Sequence, residues 1–235
     1  MATTQILRWA FRSVLRHPAP WLLCALLVAA WPALATLTNL SLTTNRGSLP
    51  GMLQQLVSLG LLAGVLWGQA LATRTDWLLA RAVGLRRLWA EALLMATPAL
   101  VFGLAPVASV IAAGGLPKSA VTELAATTFG SLLHLVALAL VIGHGSAGSF
   151  TRSLRRSWWT LPVLVWVIPT WLSGTHEAGA HLAGWLDVRP SIAPFPLRPF
   201  GATEIAASLP TVAWALVAIL LATAPFSHHA LRRSR

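Results

Sequence analysis

The 235-residue sequence predicts an all-α polytopic membrane protein with six transmembrane helices and both termini in the cytoplasm. Three observations carry that expectation. Hydrophobic residues make up 56% of the chain and charged residues only 10%, too few charges to cover a water-soluble fold of that apolar content. The apolar residues are gathered into runs of about 18 or more, the length a helix needs to cross a bilayer. The basic residues are unevenly shared between the connections. Thirteen lie before the first run, between the second and third, between the fourth and fifth, and after the sixth, against four in the alternate segments. That asymmetry orients spans with their basic flanks inside.

The chain opens on an amphipathic stretch, 5–17, in which Arg8, Arg12 and Arg16 fall four apart while Leu7, Phe11, Val14 and Leu15 fill much of the remaining surface. This spacing predicts an interfacial helix lying on the membrane. Pro18 and Pro20 end it and lead into the first span, 21–37. Ala33-Leu34-Ala35 imitates a signal-peptidase site, but the apolar run is longer than the roughly 7–15 residues of a signal core and contains Trp31 and Pro32. A span is the better reading. The remaining spans are placed at 52–72, 92–113, 124–144, 158–173 and 207–226, in a single transmembrane domain covering 1–235. Tryptophans 21, 89, 158, 159 and 171 fall near span ends, as interfacial aromatics do.

The second span carries Gly60, Gly64 and Gly68, four apart, a spacing that lets another helix approach closely. Whether that helix belongs to the same chain or to a second copy stays open at this point. Pro98 and Pro106 in the third span, and Pro162 and Pro169 in the fifth, predict local departures from straight α-helix. The extracytoplasmic loop 174–206 is rich in proline yet keeps the apolar pieces 181–186 and 204–209, so it is expected to dip back toward the membrane.

Composition and spacing also weigh against several chemistries. The formal charge of +11 flanks the apolar runs and is not interleaved with stacking aromatics, which argues against nucleic acid. Cys24 is the single cysteine, so no internal disulfide forms. His176, Glu177 and His181 resemble a zinc-protease motif, but the histidines stand five apart, not four. Gly143-His144-Gly145-Ser146 lacks the glycine two residues before the serine that a nucleophile turn requires. No phosphate loop is present, so any ATP hydrolysis needs a partner. No carboxylate falls inside a predicted span, which argues against proton-driven carriage. His134, in the middle of the fourth span, is the one candidate intramembrane polar site.

The segment 74–91 differs from an ordinary loop. It sets Arg74, Arg81, Arg86 and Arg87 among Trp77, Leu78, Leu79, Val83, Leu85, Leu88 and Trp89, and reads as a short amphipathic helix broken near Gly84. In this layout the chain resembles the permease subunits of type-2 ABC exporters, with a size similar to the permease of the cytochrome c maturation exporter. Asp76 matches the acidic position of that family's coupling segment, Leu78 and Leu79 its Leu-rich stretch, and Val83 its valine. Ala82 stands where proline is usual, Gly84 where serine is usual, and Glu91-Ala92 replaces a Gly-Lys pair.

The resemblance implies a membrane permease subunit of an ATP-driven exporter, working as a dimer with a second permease copy in the lipid bilayer of a bacterial inner membrane. It implies docking of separate ABC ATPase subunits on Asp76, Trp77, Leu78, Leu79, Arg81, Val83, Arg86 and Arg87. It also implies that this chain is not itself an enzyme and holds no cofactor, ATP and magnesium residing on the partner. A lipid-like, peptide or otherwise amphipathic cargo suits such apolar spans better than a small ion. The alternatives are a non-transporting membrane anchor or assembly subunit, and a membrane-embedded metal or serine hydrolase.

Overall fold

Every regular element among the described residues is helical. The computed structural model describes residues 5, 8, 9, 12, 16–37, 48–74, 85–112, 118–145, 160–173, 177–186 and 202–223. The elements are α1 (Pro18–Leu37), α2 (Ser48–Arg74), α3 (Leu85–Ala112), α4 (Lys118–Gly145), α5 (160–173), α6 (Glu177–Leu186) and α7 (Ala202–Thr223). Of the expected interfacial helix, Gln5, Arg8, Trp9, Arg12 and Arg16 are described; they are helical and exposed.

Helices occupy the places of all six apolar runs, and two boundaries differ in ways that matter. α3 begins at Leu85, seven residues ahead of the expected span, so Arg86, Arg87 and Glu91 ride on the same helix as Pro98 and Pro106. No glycine or proline interrupts LRRLWAEALLMAT, and Leu88, Ala90 and Leu94 bury the inner face, so the helix has reason to continue. α7 begins at Ala202, which takes 202–206 out of the preceding loop. Residues 75–84 and 187–201 lie outside the described residues. By length and composition, Leu85–Ala112 is the one described helix able to cross a membrane; Pro18–Ala29, Leu56–Ala72, Thr128–His144, Thr160–Leu172 and Leu209–Thr223 are shorter apolar stretches.

The closest pairing is between α2 and α3. A Cβ built on Gly60, Gly64 or Gly68 would fall closer than 3.0 Å to backbone atoms of Phe102, Ala99 and Met95 respectively. The glycine repeat is therefore what lets these two backbones meet, and the meeting is within one chain. Rising numbers on α2 meet falling numbers on α3, so the two run antiparallel. Around this contact Val57, Leu61, Val65, Ala99, Val110, Leu132, Leu135 and Val165 form a core shared by α2, α3, α4 and α5.

α1 lies against both α2 and α3. Leu23, Cys24 and Leu27 pack with Trp67, Val101 and Phe102. The Ser109 hydroxyl donates to the Val28 carbonyl at 2.9 Å. His17, just before α1, meets the Trp67 ring edge-on at 5.8 Å between centroids. α4 runs antiparallel to α3, since Glu91 meets His144 while Met95 shares a cavity with Leu140. The start of α1, the end of α2, the start of α3 and the end of α4 therefore gather at one end of the bundle.

The prolines of α3 and those of α5 act differently. α3 stays α-helical past Pro98 and Pro106. In α5 a π turn, Val163–Val167, separates Thr160–Pro162 from Ile168–Ser173. There the Ile168 N–H reaches Val163 O, five residues back. Pro169 has no N–H for Val165 O and crowds that carbonyl; widening the turn relieves the clash. α6 then packs back on Ile168–Ser173, with Gly179 and Ala183 buried and Leu182 and Trp185 outward. The Trp214 indole of α7 donates to Trp185 O at 2.8 Å and ties α6 to α7.

The outer surface is also apolar. α1 exposes Trp21, Leu22 and Leu26, and α7 exposes Leu209, Val212, Leu216, Ile219 and Leu220 along one face.

Candidate functional site

The feature that stands out at the shared end of the bundle is a buried carboxylate. Glu91 is 4% exposed, nearly two turns into α3. Arg87, four residues earlier on the same helix, donates from Nε to Oε1 at 2.9 Å. His144, at the end of α4, brings Nε2 to 2.9 Å from Oε2. That approach is an ion-pair contact rather than a directed bond, because His144 Nε2 makes no well-aligned hydrogen bond among the described residues. A carboxylate without partners at this depth would be costly; with a guanidinium on one oxygen and an imidazole on the other, its acceptors are engaged.

Beside the carboxylate is a cavity of about 30 Å³, lined by Gln69 and Ala72 of α2, Glu91 and Met95 of α3, and Leu140 and Gly143 of α4. By the usual criterion of roughly 10–15 Å³ per water, about two water molecules fit. The cluster thus joins three helices within two turns of the 75–84 segment.

Only part of the expected docking set is described. Asp76, Trp77, Leu78, Leu79, Arg81 and Val83 lie outside the described residues. Arg86 is exposed, while Arg87 is drawn inward to Glu91. The outward face of the first turns of α3 is Leu85, Arg86 and Trp89, whereas Leu88 is buried. A surface of two bulky apolar side chains around a guanidinium, at the end of a helix, is chemically suited to a protein contact.

His134 is buried in α4, and its Nδ1 lies 2.9 Å from Thr211 Oγ1 of α7. This bond crosses between helices far from the cluster at Glu91. Gly60, Gly64 and Gly68 serve the α2–α3 contact. His176 and Ser146 lie outside the described residues, and among the described residues no three His, Cys, Asp or Glu side chains gather as a metal site.

The residues that the sequence left unassigned are Glu91 and His144. Glu91 stood only at the margin of an apolar run, and His144 in a glycine-rich helix end. The one readable signal was Arg87 four before Glu91, which places the two on one helical face. No family model, curated protein or solved structure matches the chain.

Proposed function

We propose that the chain is the membrane-spanning permease subunit of an ATP-driven ABC exporter. In this reading it has six spans with both termini in the cytoplasm of a bacterial inner membrane. It pairs with a second permease copy, and ATPase subunits dock on the 74–91 segment. The observation that carries the reading is the convergence at one end of the bundle. The ends of α2, α3 and α4 meet around Glu91, and the first turns of α3 turn Leu85, Arg86 and Trp89 outward.

A push on that segment reaches α3 directly, because Arg86, Arg87 and Glu91 belong to the same continuous helix. The glycine contact passes the push to α2. Rigid elements that shift against one another are the usual means by which domain closure is turned into movement elsewhere. The apolar outer faces of α1 and α7 suit acyl chains; on a protein in water, continuous surfaces of that kind would associate.

The test is purification of the full chain from membranes of its own host, followed by assay of associated ATP hydrolysis. The expected result is an ATPase that co-purifies with the unaltered chain and is lost with Trp77→Ala combined with Leu78→Ala. Hydrolysis retained by the double variant overturns the docking assignment. Absence of any associated ATPase overturns the permease reading and leaves an anchor subunit as the better account.

A further inference from the structure

Two of the groups against Glu91 are Arg87 and His144, and one of them alone neutralises it. Arg87 supplies a full positive charge at 2.9 Å from within the same helix. That bond is local to α3 and is insensitive to how the helices are arranged. The contact at 2.9 Å with His144 is the part that crosses an interface, and it lacks a well-directed hydrogen bond.

These facts set the energetics of separation. Breaking a buried ion pair is ordinarily expensive because one charge is left bare in a low-dielectric interior. Here the carboxylate keeps Arg87 when His144 moves away. The cavity of about 30 Å³ lies against the same carboxylate and has room for water on the vacated oxygen. Its α2 wall, Gln69 and Ala72, adds no charge that would oppose either arrangement. A buried ion pair contributes little net stability compared with apolar packing, and its best-attested use is to fix register or act as a switch.

We propose that Glu91 and His144 form a reversible latch between α3 and α4. Closed, it holds the first turns of α3 against the last turn of α4. Open, Arg87 keeps Glu91 satisfied, water enters beside it, and the two helix ends part. The latch stands on the geometry alone; its use as the element moved by the 75–84 segment rests on the permease reading.

The test uses the full chain in lipid nanodiscs, with Cys24→Ala and a reporter Gly143→Cys. Position 143 lines the cavity and has open space for a side chain, with nothing within 4 Å of an added Cβ. The rate of maleimide labelling reads opening. Glu91→Gln and His144→Gln are each expected to raise that rate about tenfold, the factor that accompanies loss of a charge-assisted contact. Together they raise it no further than either alone.

Arg87→Gln is expected to leave the rate unchanged or lower it, since it removes the partner that the open state depends on. A cluster that merely stabilises the fold would loosen with any of the three changes. An equal rise with all three, additive effects of Glu91→Gln and His144→Gln, or no response to either overturns the latch. If Glu91→Gln does not fold, His144→Gln, which leaves Arg87 and Glu91 paired, decides by its response alone. Failure of the permease reading shows separately, as latch behaviour without an associated ATPase.

Discussion

A side chain on Gly60 would collide with the carbonyl of Phe102, and the usual helical donor to that carbonyl would be residue 106, a proline. The same relation recurs eight residues away on each helix. Gly68 presses on the Leu94 carbonyl, whose donor position is Pro98. A proline inside a helix withholds the N–H that the carbonyl four residues earlier needs. A glycine Cα–H offered from the facing helix is a weak substitute, worth about 0.5–1 kcal/mol in each case. Glycines spaced by eight on α2 and prolines spaced by eight on α3 are thus two halves of one interface.

Gly64→Ala is expected to destabilise the chain by about 2–3 kcal/mol, the cost of overpacking a tight contact, because the new methyl falls on the Ala99 backbone. Gly130→Ala on α4 meets nothing within 4 Å and should gain up to about 1 kcal/mol from helix propensity. Thermal unfolding in a fixed detergent reads both. Equal effects of the two changes would remove the α2–α3 contact as the reason for the glycines.

His134 and Thr211 should behave as a coupled pair. The bond between them crosses from α4 to α7 at 2.9 Å. Each of His134→Leu and Thr211→Val is expected to cost about 1–2 kcal/mol, with the double variant costing clearly less than the sum, because a lone polar group is worse than none. A double-mutant cycle on unfolding midpoints measures the coupling, and simple additivity is the result that argues against it.

Among the described residues, the hydroxyls of Ser58 and Thr128 are buried with no hydrogen-bond partner. Replacing them by shape-matched apolar groups, Ser58→Ala and Thr128→Val, is therefore expected to be neutral or stabilising by about 1 kcal/mol. Unfolding of the two variants beside the unaltered chain checks this. A loss of stability in both would mean that these oxygens have partners beyond the described residues.

Topology is open to a direct measurement. Under the proposed orientation, alkaline phosphatase fused after residue 235 stays inactive, and the same enzyme inserted between 187 and 200 is active outside the cytoplasm. The reverse pattern would invert the chain and take 75–84 away from any cytoplasmic ATPase.

Much of the helical layout was legible from the lengths of the apolar runs, because helix formation there needs only local information. The glycine repeat was legible as a close-approach face for the same reason, since four-residue spacing fixes one side of a helix. Its partner was not legible. Gly60 meets Phe102 through the register of two helices, which depends on all the side chains between them. Glu91 and His144 failed to stand out for a related cause. They are distant in sequence and meet only because α3 starts at Leu85 and runs antiparallel to α4, so an acidic residue that looked marginal became buried. The π turn in α5 was foreshadowed by Pro162 and Pro169, but proline position alone does not say whether the chain bends or widens. Past Pro98 and Pro106, α3 stays α-helical.

The widened turn at Val163–Val167 sets how the end of the molecule is aimed. A π turn is an α turn with one residue to spare, and that residue rotates everything downstream by about 100°, one step of the helical screw. Deleting a single position there, such as Leu164, should rewind α5 and carry Ile168–Ser173 and α6 around the axis. The Trp185 carbonyl would then swing out of reach of the Trp214 indole, now 2.8 Å away. The orientation of the whole α5–α6 hairpin is thus indexed by one supernumerary amino acid.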